Sequence, residues 1–249
     1  MPQKLLNCLH PLLAAILVAL VGGAFWLKSR PKPPTGDPGQ QESVQELLIR
    51  GIGEHNAGSL DVAMDIYHKV LQREPGHPQA HYNLAQIYNS LGQYVQAQWQ
   101  YEAALKADPN SLDALLNLGV VLYRQRQFPA AAEVFRQVLQ VSPQHALALF
   151  NLGVTLIELG QTDQAIPWLT QAVGKDPQRA DTYYYLGLAL ERQRRFAEAG
   201  VALQKAVEFN PRHADAYVAL ANVYTAQGEL RLAQEALAKA AELNPRLKK

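Results

Sequence analysis

The chain has 249 residues, 48% of them hydrophobic and 18% charged, with a formal net charge of +1. That much apolar residue can fill a large core, which excludes a disordered chain and a disulfide-stapled miniprotein. The single cysteine, Cys8, can close no intramolecular bridge, and no Cys/His cluster supports a structural zinc site. The near-neutral balance also excludes a nucleic-acid binder, whose affinity rests on a strongly basic surface.

Residues 1–36 carry Lys4, Lys28, Arg30 and Lys32 and no acid, so the remainder holds 19 basic and 22 acidic side chains. Residues 11–27, PLLAAILVALVGGAFWL, run for 17 positions without a charge. As a helix they would reach roughly 25 Å, near the lower limit for crossing a bilayer. Trp26 and the cations Lys28, Arg30 and Lys32 stand where an interfacial anchor belongs. These features predict one N-terminal hydrophobic helix, a transmembrane anchor within residues 1–30 that meets the membrane through residues 11–27. Gly22, Gly23 and Ala24 offer the alternative of a cleaved signal peptide and a periplasmic or secreted protein. The apolar run continues through Phe25, Trp26 and Leu27, which favours retention. Cys8 precedes the apolar run, so it is not a lipoprotein cysteine. The cation count, slightly higher after the span than before it, predicts a single-pass protein with its soluble domain in the cytoplasm. Residues 31–43 follow as a linker with four prolines, an extended, semi-rigid spacer.

Beyond the linker, prolines recur every 34 residues, at positions 75, 109, 143, 177, 211 and 245. If each proline is position 32 of a unit, the units are 44–77, 78–111, 112–145, 146–179, 180–213 and 214–247, a repeat domain over 44–249. Position 8 is then Gly51, Ala85, Gly119, Gly153, Gly187 and Ala221, and position 20 is alanine in every unit from Ala63 to Ala233. Large apolar side chains recur at position 7 and position 24, the latter being Tyr67, Tyr101, Phe135, Leu169, Leu203 and Leu237. Positions 4, 7, 8 and 11 share one helical face and positions 20, 24 and 27 another, which predicts two helices per unit. Gly58, Gly92, Gly160 and Gly228 fall at the turn between them, and the proline ends the second helix.

In the unit 78–111, Leu84, Ala85, Tyr88, Ala97, Tyr101, Ala104 and Pro109 stand at positions 7, 8, 11, 20, 24, 27 and 32. This pattern resembles the tetratricopeptide repeat family, and most of it is matched through residue 245. The resemblance implies an all-α fold, a right-handed α-solenoid of about six 34-residue helix-turn-helix repeats. It also implies a concave groove, lined by the first helices, that takes peptides or partner helices. Some anchored members are similar in architecture to assembly factors of membrane complexes. The first unit departs from the pattern, with Arg50 and Glu54 where leucine and tyrosine are expected, which predicts a poorly packed first helix. A pentatricopeptide array would need a 35-residue period and a basic groove.

The open face of each first helix falls at positions 2, 6, 9 and 13, flanked by 5 and 12. The predicted groove is therefore polar at Tyr82, Asn83 and Gln86. It becomes apolar in the middle units, at Leu116, Asn117, Val120, Tyr123, Leu147, Phe150, Asn151, Val154, Ile157, Tyr184, Tyr185 and Leu188. An apolar floor with a polar entrance suits a peptide or an amphipathic segment. Asn83, Asn117 and Asn151 share position 6, where an amide can grip a partner's backbone; the alternative is a solvated asparagine. The lysines that the family's chaperone-tail clamp requires are replaced by Tyr82 and Leu147.

Other features carry less. His77, His145 and His213 repeat at position 34 and read as surface loop histidines. Arg124, Arg126, Arg192, Arg194 and Arg195 gather at equivalent hairpin tips, either as solvated edges or as contacts for an acidic partner or anionic lipid. Trp99 points away from the packed face and offers a convex contact. Pro167 predicts a bent or delayed second helix. No nucleophile with a base, phosphate loop, metal cluster or cofactor motif stands out, so the chain reads as a binding scaffold and not as an enzyme. The alternative is a regulatory subunit of an enzyme complex. The final unit's apolar side, around Leu230 and Leu237, predicts pairing with a second copy.

Overall fold

The computed structural model describes residues 42–245, and among these it contains twelve α-helices and no strand. The expected N-terminal anchor and most of the expected linker over residues 31–43 lie outside the described residues. Within them no helix is long and apolar enough to cross a membrane.

The helices come in pairs: α1 (Val44–Asn56) with α2 (Leu60–Arg73), α3 (Pro78–Ser90) with α4 (Tyr94–Ala107), α5 (Leu112–Arg124) with α6 (Phe128–Val141), α7 (Ala146–Glu158) with α8 (Thr162–Lys175), α9 (Ala180–Arg192) with α10 (Phe196–Phe209), and α11 (Ala214–Gln227) with α12 (Leu230–Leu243). Each first helix begins at position 1 of its unit and each second helix at position 17. The helices of a pair pack on each other, and each second helix packs on the first helix of the next unit. First helices of neighbouring units also touch, α1 with α3, α5 with α7, α7 with α9 and α9 with α11, whereas the second helices make no comparable contact. The first helices therefore occupy the tighter side of the stack.

The small residues at position 8 receive the large side chain at position 24 of the same unit. A Cβ placed on Gly119 would stand 2.5 Å from Phe135, one on Gly153 would stand 2.6 Å from Leu169, and one on Gly187 would stand 2.6 Å from Leu203. Those three partners are at most 1% exposed. The close approach fixes how the paired helices sit, because a well-packed interior has no room for extra carbon. One apolar cluster spans α1 to α3, a larger one runs from α3 to α9, and a third joins α9 to α11.

The first unit is better packed than its departures imply. Leu47 and Leu48 are each 2% exposed in one apolar cluster with Ile66 and Tyr67, while Arg50 is exposed. Pro167 does not delay its helix: α8 starts on schedule at Thr162 with the proline inside it.

At the turn inside each unit, position 15 takes positive φ. Four of these residues are glycines, with φ between +72° and +81°, but Arg126 (+60°) and Arg194 (+61°) hold the same left-handed geometry. A side chain there costs roughly 1–2 kcal/mol relative to glycine. The position-34 histidines serve as N-caps: Nδ1 of His77, His145 and His213 accepts the amide hydrogen of Ala80, Ala148 and Ala216 at 3.4, 3.3 and 3.2 Å. These side chains fasten the start of each following first helix and are not idle loop residues.

Candidate functional site

On the face formed by the first helices, α5, α7 and α9 enclose a cavity of about 320 Å³. Its lining comes from Val120, Tyr123 and Arg124 of α5, Phe135 beneath, Phe150, Asn151 and Val154 of α7, and Tyr185 of α9. Phe150 meets Tyr185 edge-on at 5.7 Å, and Tyr185 meets Tyr184 at 5.2 Å, so the wall is a chain of aromatic rings. Leu116 and Leu188 lie half-buried along the same face, and Leu147 is 40% exposed.

The structure closes part of the expected surface. Ile157 is 4% exposed among the helices of the central core, and its carbonyl accepts from Arg192 at 3.3 Å. Phe150 is 8% exposed, packed in the central cluster with Tyr185 beside its ring and the Arg179 guanidinium over it at 4.3 Å. The three position-6 asparagines do not form one ladder. Asn151 lines the cavity. Asn117 donates to the Tyr82 hydroxyl at 3.2 Å, which Gln86 also reaches at 3.1 Å. Asn83 is 7% exposed, with its amide nitrogen unpaired and its side chain turned toward Tyr67. Trp99 stands 65% exposed on α4.

Electrostatics keep the tyrosines protonated. Burial, reinforced by Glu158 and by Tyr185, pushes the Tyr123 hydroxyl up to about 12, against a smaller opposing effect of Arg126. Burial also raises Tyr184 and Tyr185, with Asp215 the chief charge acting on the first and Asp181 on the second. Tyr82 is raised by burial and by Asp113, partly offset by Asn117. At neutral pH a tyrosine is protonated at its ordinary value, and these shifts extend its role as a hydroxyl donor further into the alkaline range. Burial raises the Glu191 carboxyl on α9 as well. His213, on the Asp181 carboxylate at 3.6 Å, covers Tyr184 at 4.6 Å.

Sequence reasoning missed Arg124 and Phe135 as lining residues, and Arg179 as the cover of the lining residue Phe150. Position 34 lies between helices, so counting helix faces overlooks it, yet it arches over position 5 of the preceding first helix, as Arg179 does over Phe150 and His213 over Tyr184. A second depression of about 240 Å³ lies beside Pro78, Gln79, Tyr82, Ser111 and Asp113. A third, of about 470 Å³, is bordered by Ile166 of α8, Leu186 of α9 and Val201 and Lys205 of α10. Among the described residues no group of three metal-ligating side chains occurs.

Residues 76–249 match the model of a protein family described as the cilia and flagella-associated protein 70 C-terminal domain, a tetratricopeptide-repeat domain. The chain belongs to this tetratricopeptide-repeat family. No curated protein matches it significantly. Among solved structures, MamA from Desulfovibrio magneticus RS-1, residue 41 to its end, is 25% identical. It has a TM-score of 0.64 and covers 68% of this chain and 96% of that one. YrrB, described as a tetratricopeptide protein with an unusual peptide-binding site, is 23% identical with a TM-score of 0.62, over 72% of this chain and 92% of its own. PilF of Pseudomonas aeruginosa is 18% identical with a TM-score of 0.69, over 81% and 92%. The last two show the fold alone. They share with this member of the tetratricopeptide-repeat family the stacked helical hairpins that create the face just described.

Proposed function

We propose that this protein is a non-enzymatic interaction scaffold that takes peptide or helical segments of partner proteins on the face of its first helices. The observation that carries the reading is the aromatic-walled cavity between α5, α7 and α9, an apolar slot bordered by hydroxyl, amide and guanidinium groups. Such a slot seats one large side chain while the polar border holds backbone. The peptide-binding site reported for YrrB, which has the same fold, adds support. The right-handed winding typical of the family would make this face concave. The finer features belong to the same proposal: residues 1–30 tether the scaffold to a membrane with its repeat domain (44–249) cytoplasmic, residues 31–43 space it from the bilayer, and it gathers components of a multiprotein complex. A second copy could dock at the last unit, where Leu230 is 62% and Leu237 48% exposed.

A peptide library displayed on phage and selected on the purified chain tests the reading. Val120→Glu combined with Leu188→Glu is expected to weaken the selected peptides at least tenfold while leaving helical content unchanged. Val62→Glu, on the exposed side of α2, is expected to have no effect. Equal binding by the double variant would move the site off this face.

A further inference from the structure

The cavity is bordered by cations that the fold itself leaves unpaired. Arg179, in the turn before α9, occupies the position where His77, His145 and His213 cap a helix. A guanidinium has no acceptor to offer, so this side chain makes no cap and lies across Phe150 instead. Its Nε is buried without a hydrogen-bond partner, and among the described residues no carboxylate pairs with it. Arg124, which lines the cavity, reaches only the neutral Tyr94 hydroxyl, at 3.4 Å. Two residues further on, Arg126 rests 5.6 Å from the Phe128 ring with no ion pair, and its charge is felt by Tyr123.

Arg126 holds φ +60° where four sister turns use glycine, so an arginine stands at a position that its side chain strains. The arrangement recurs two units later, where Arg192 donates to the Ile157 carbonyl, Arg194 holds φ +61° and Arg195 alone is paired, with Glu198 at 2.6 Å. The anions that act on the cavity's tyrosines are Glu158, Asp181 and Asp215, of which Asp181 already faces His213. A guanidinium stacked on an aromatic ring keeps its planar N–H fork free, and that fork matches a carboxylate in two parallel hydrogen bonds.

We propose that the segment taken by this groove is acidic: an apolar side chain fills the cavity, one carboxylate meets Arg179, and another meets the tip formed by Arg124 and Arg126. This rests on the groove reading and adds the chemistry of the partner. Arg194 and its neighbours would extend the same preference along the groove's edge.

Three synthetic 15-residue peptides test it, all with the same central leucine–phenylalanine pair. They are flanked by aspartate and glutamate, by serine and glutamine, or by lysine and arginine, and fluorescence anisotropy measures their binding to the full-length chain. The acidic peptide should bind at least tenfold more tightly than the neutral one at low salt, and the gap should shrink as added salt screens the charges. Arg179→Gln and Arg126→Gly should each weaken the acidic peptide several-fold without weakening the neutral one. Because glycine suits the turn, Arg126→Gly should melt at a higher temperature, which separates lost contact from lost folding. Equal or tighter binding of the neutral or basic peptide would overturn the acidic preference and leave the groove reading standing. So would acidic-peptide binding that both arginine variants retain in full. Failure of all three peptides to bind, or binding that ignores Val120→Glu, would count against the groove as well.

Discussion

Leucine at position 24 is fully buried in α8 and α10, where Leu169 and Leu203 are 0% exposed, but Leu237 in α12 is 48% exposed. The residue and the helix are equivalent in each case; position 8 is glycine opposite Leu169 and Leu203 and alanine, Ala221, opposite Leu237, yet an alanine there does not expose its partner, since Tyr101 opposite Ala85 is 0% exposed. The difference lies in the next unit, which covers Leu169 and Leu203 and is absent after α12 among the described residues. A unit of this fold therefore completes its core only with its successor. The opposite end behaves differently: Tyr67 in the first unit is 0% exposed because α3 follows it.

Truncation should reveal this asymmetry most strongly. Leu169→Ala is expected to destabilise the array by about 3 kcal/mol, as for a large side chain removed from a tight interior, and Leu237→Ala by less than about 1 kcal/mol. Urea denaturation of the two variants measures both, and equal losses would break the comparison. The next effect concerns the first interface. Burial holds the Tyr67 hydroxyl up at about 12, with a smaller opposing influence from Asn83. The folded state therefore keeps a proton that the unfolded chain releases near pH 10. Its stabilising contribution is complete below that pH and is lost as pH rises toward 12, a change on the order of 2 kcal/mol. Melting temperature followed from pH 9 to 12 should fall, and Tyr67→Phe should flatten the fall. The smallest effect lies at the turns: Gly160→Arg should cost about 1 kcal/mol, reproducing the strain already present at Arg126 and Arg194. Thermal melts would show it, and an unchanged midpoint would mean that the left-handed turns carry no strain.

The repeat was legible in the sequence because its determinants are steric and periodic. Gly119, Gly153 and Gly187 are small because an aromatic or leucine side chain enters the space where their Cβ would be, so each such constraint leaves its mark every 34 residues. The candidate site was legible only in part. Helical periodicity identified Val120, Phe150, Asn151 and Tyr185, all of which border the cavity. It could not foresee that Asn83 turns into the joint with Tyr67, since that depends on a tyrosine occupying position 24 one unit earlier. Nor could it place Arg179 over Phe150, because the residue lies in a turn and its side-chain direction follows from its failure to cap α9. Arg50 misled for a related reason: it is exposed in the first described unit, so a polar residue at this position costs the packing of Leu47 and Leu48 nothing.

Contacts in this array run from each helix to its near neighbours in the chain, and nothing joins α1 to α12. Stretched by its ends, such a chain has no clasp that must break first. It should give way like a zip, one unit at a time, each event paying out roughly 110 Å of slack, the extended reach of about 34 residues. A scaffold built this way can lengthen under load by surrendering a terminal unit while the remaining units stay folded.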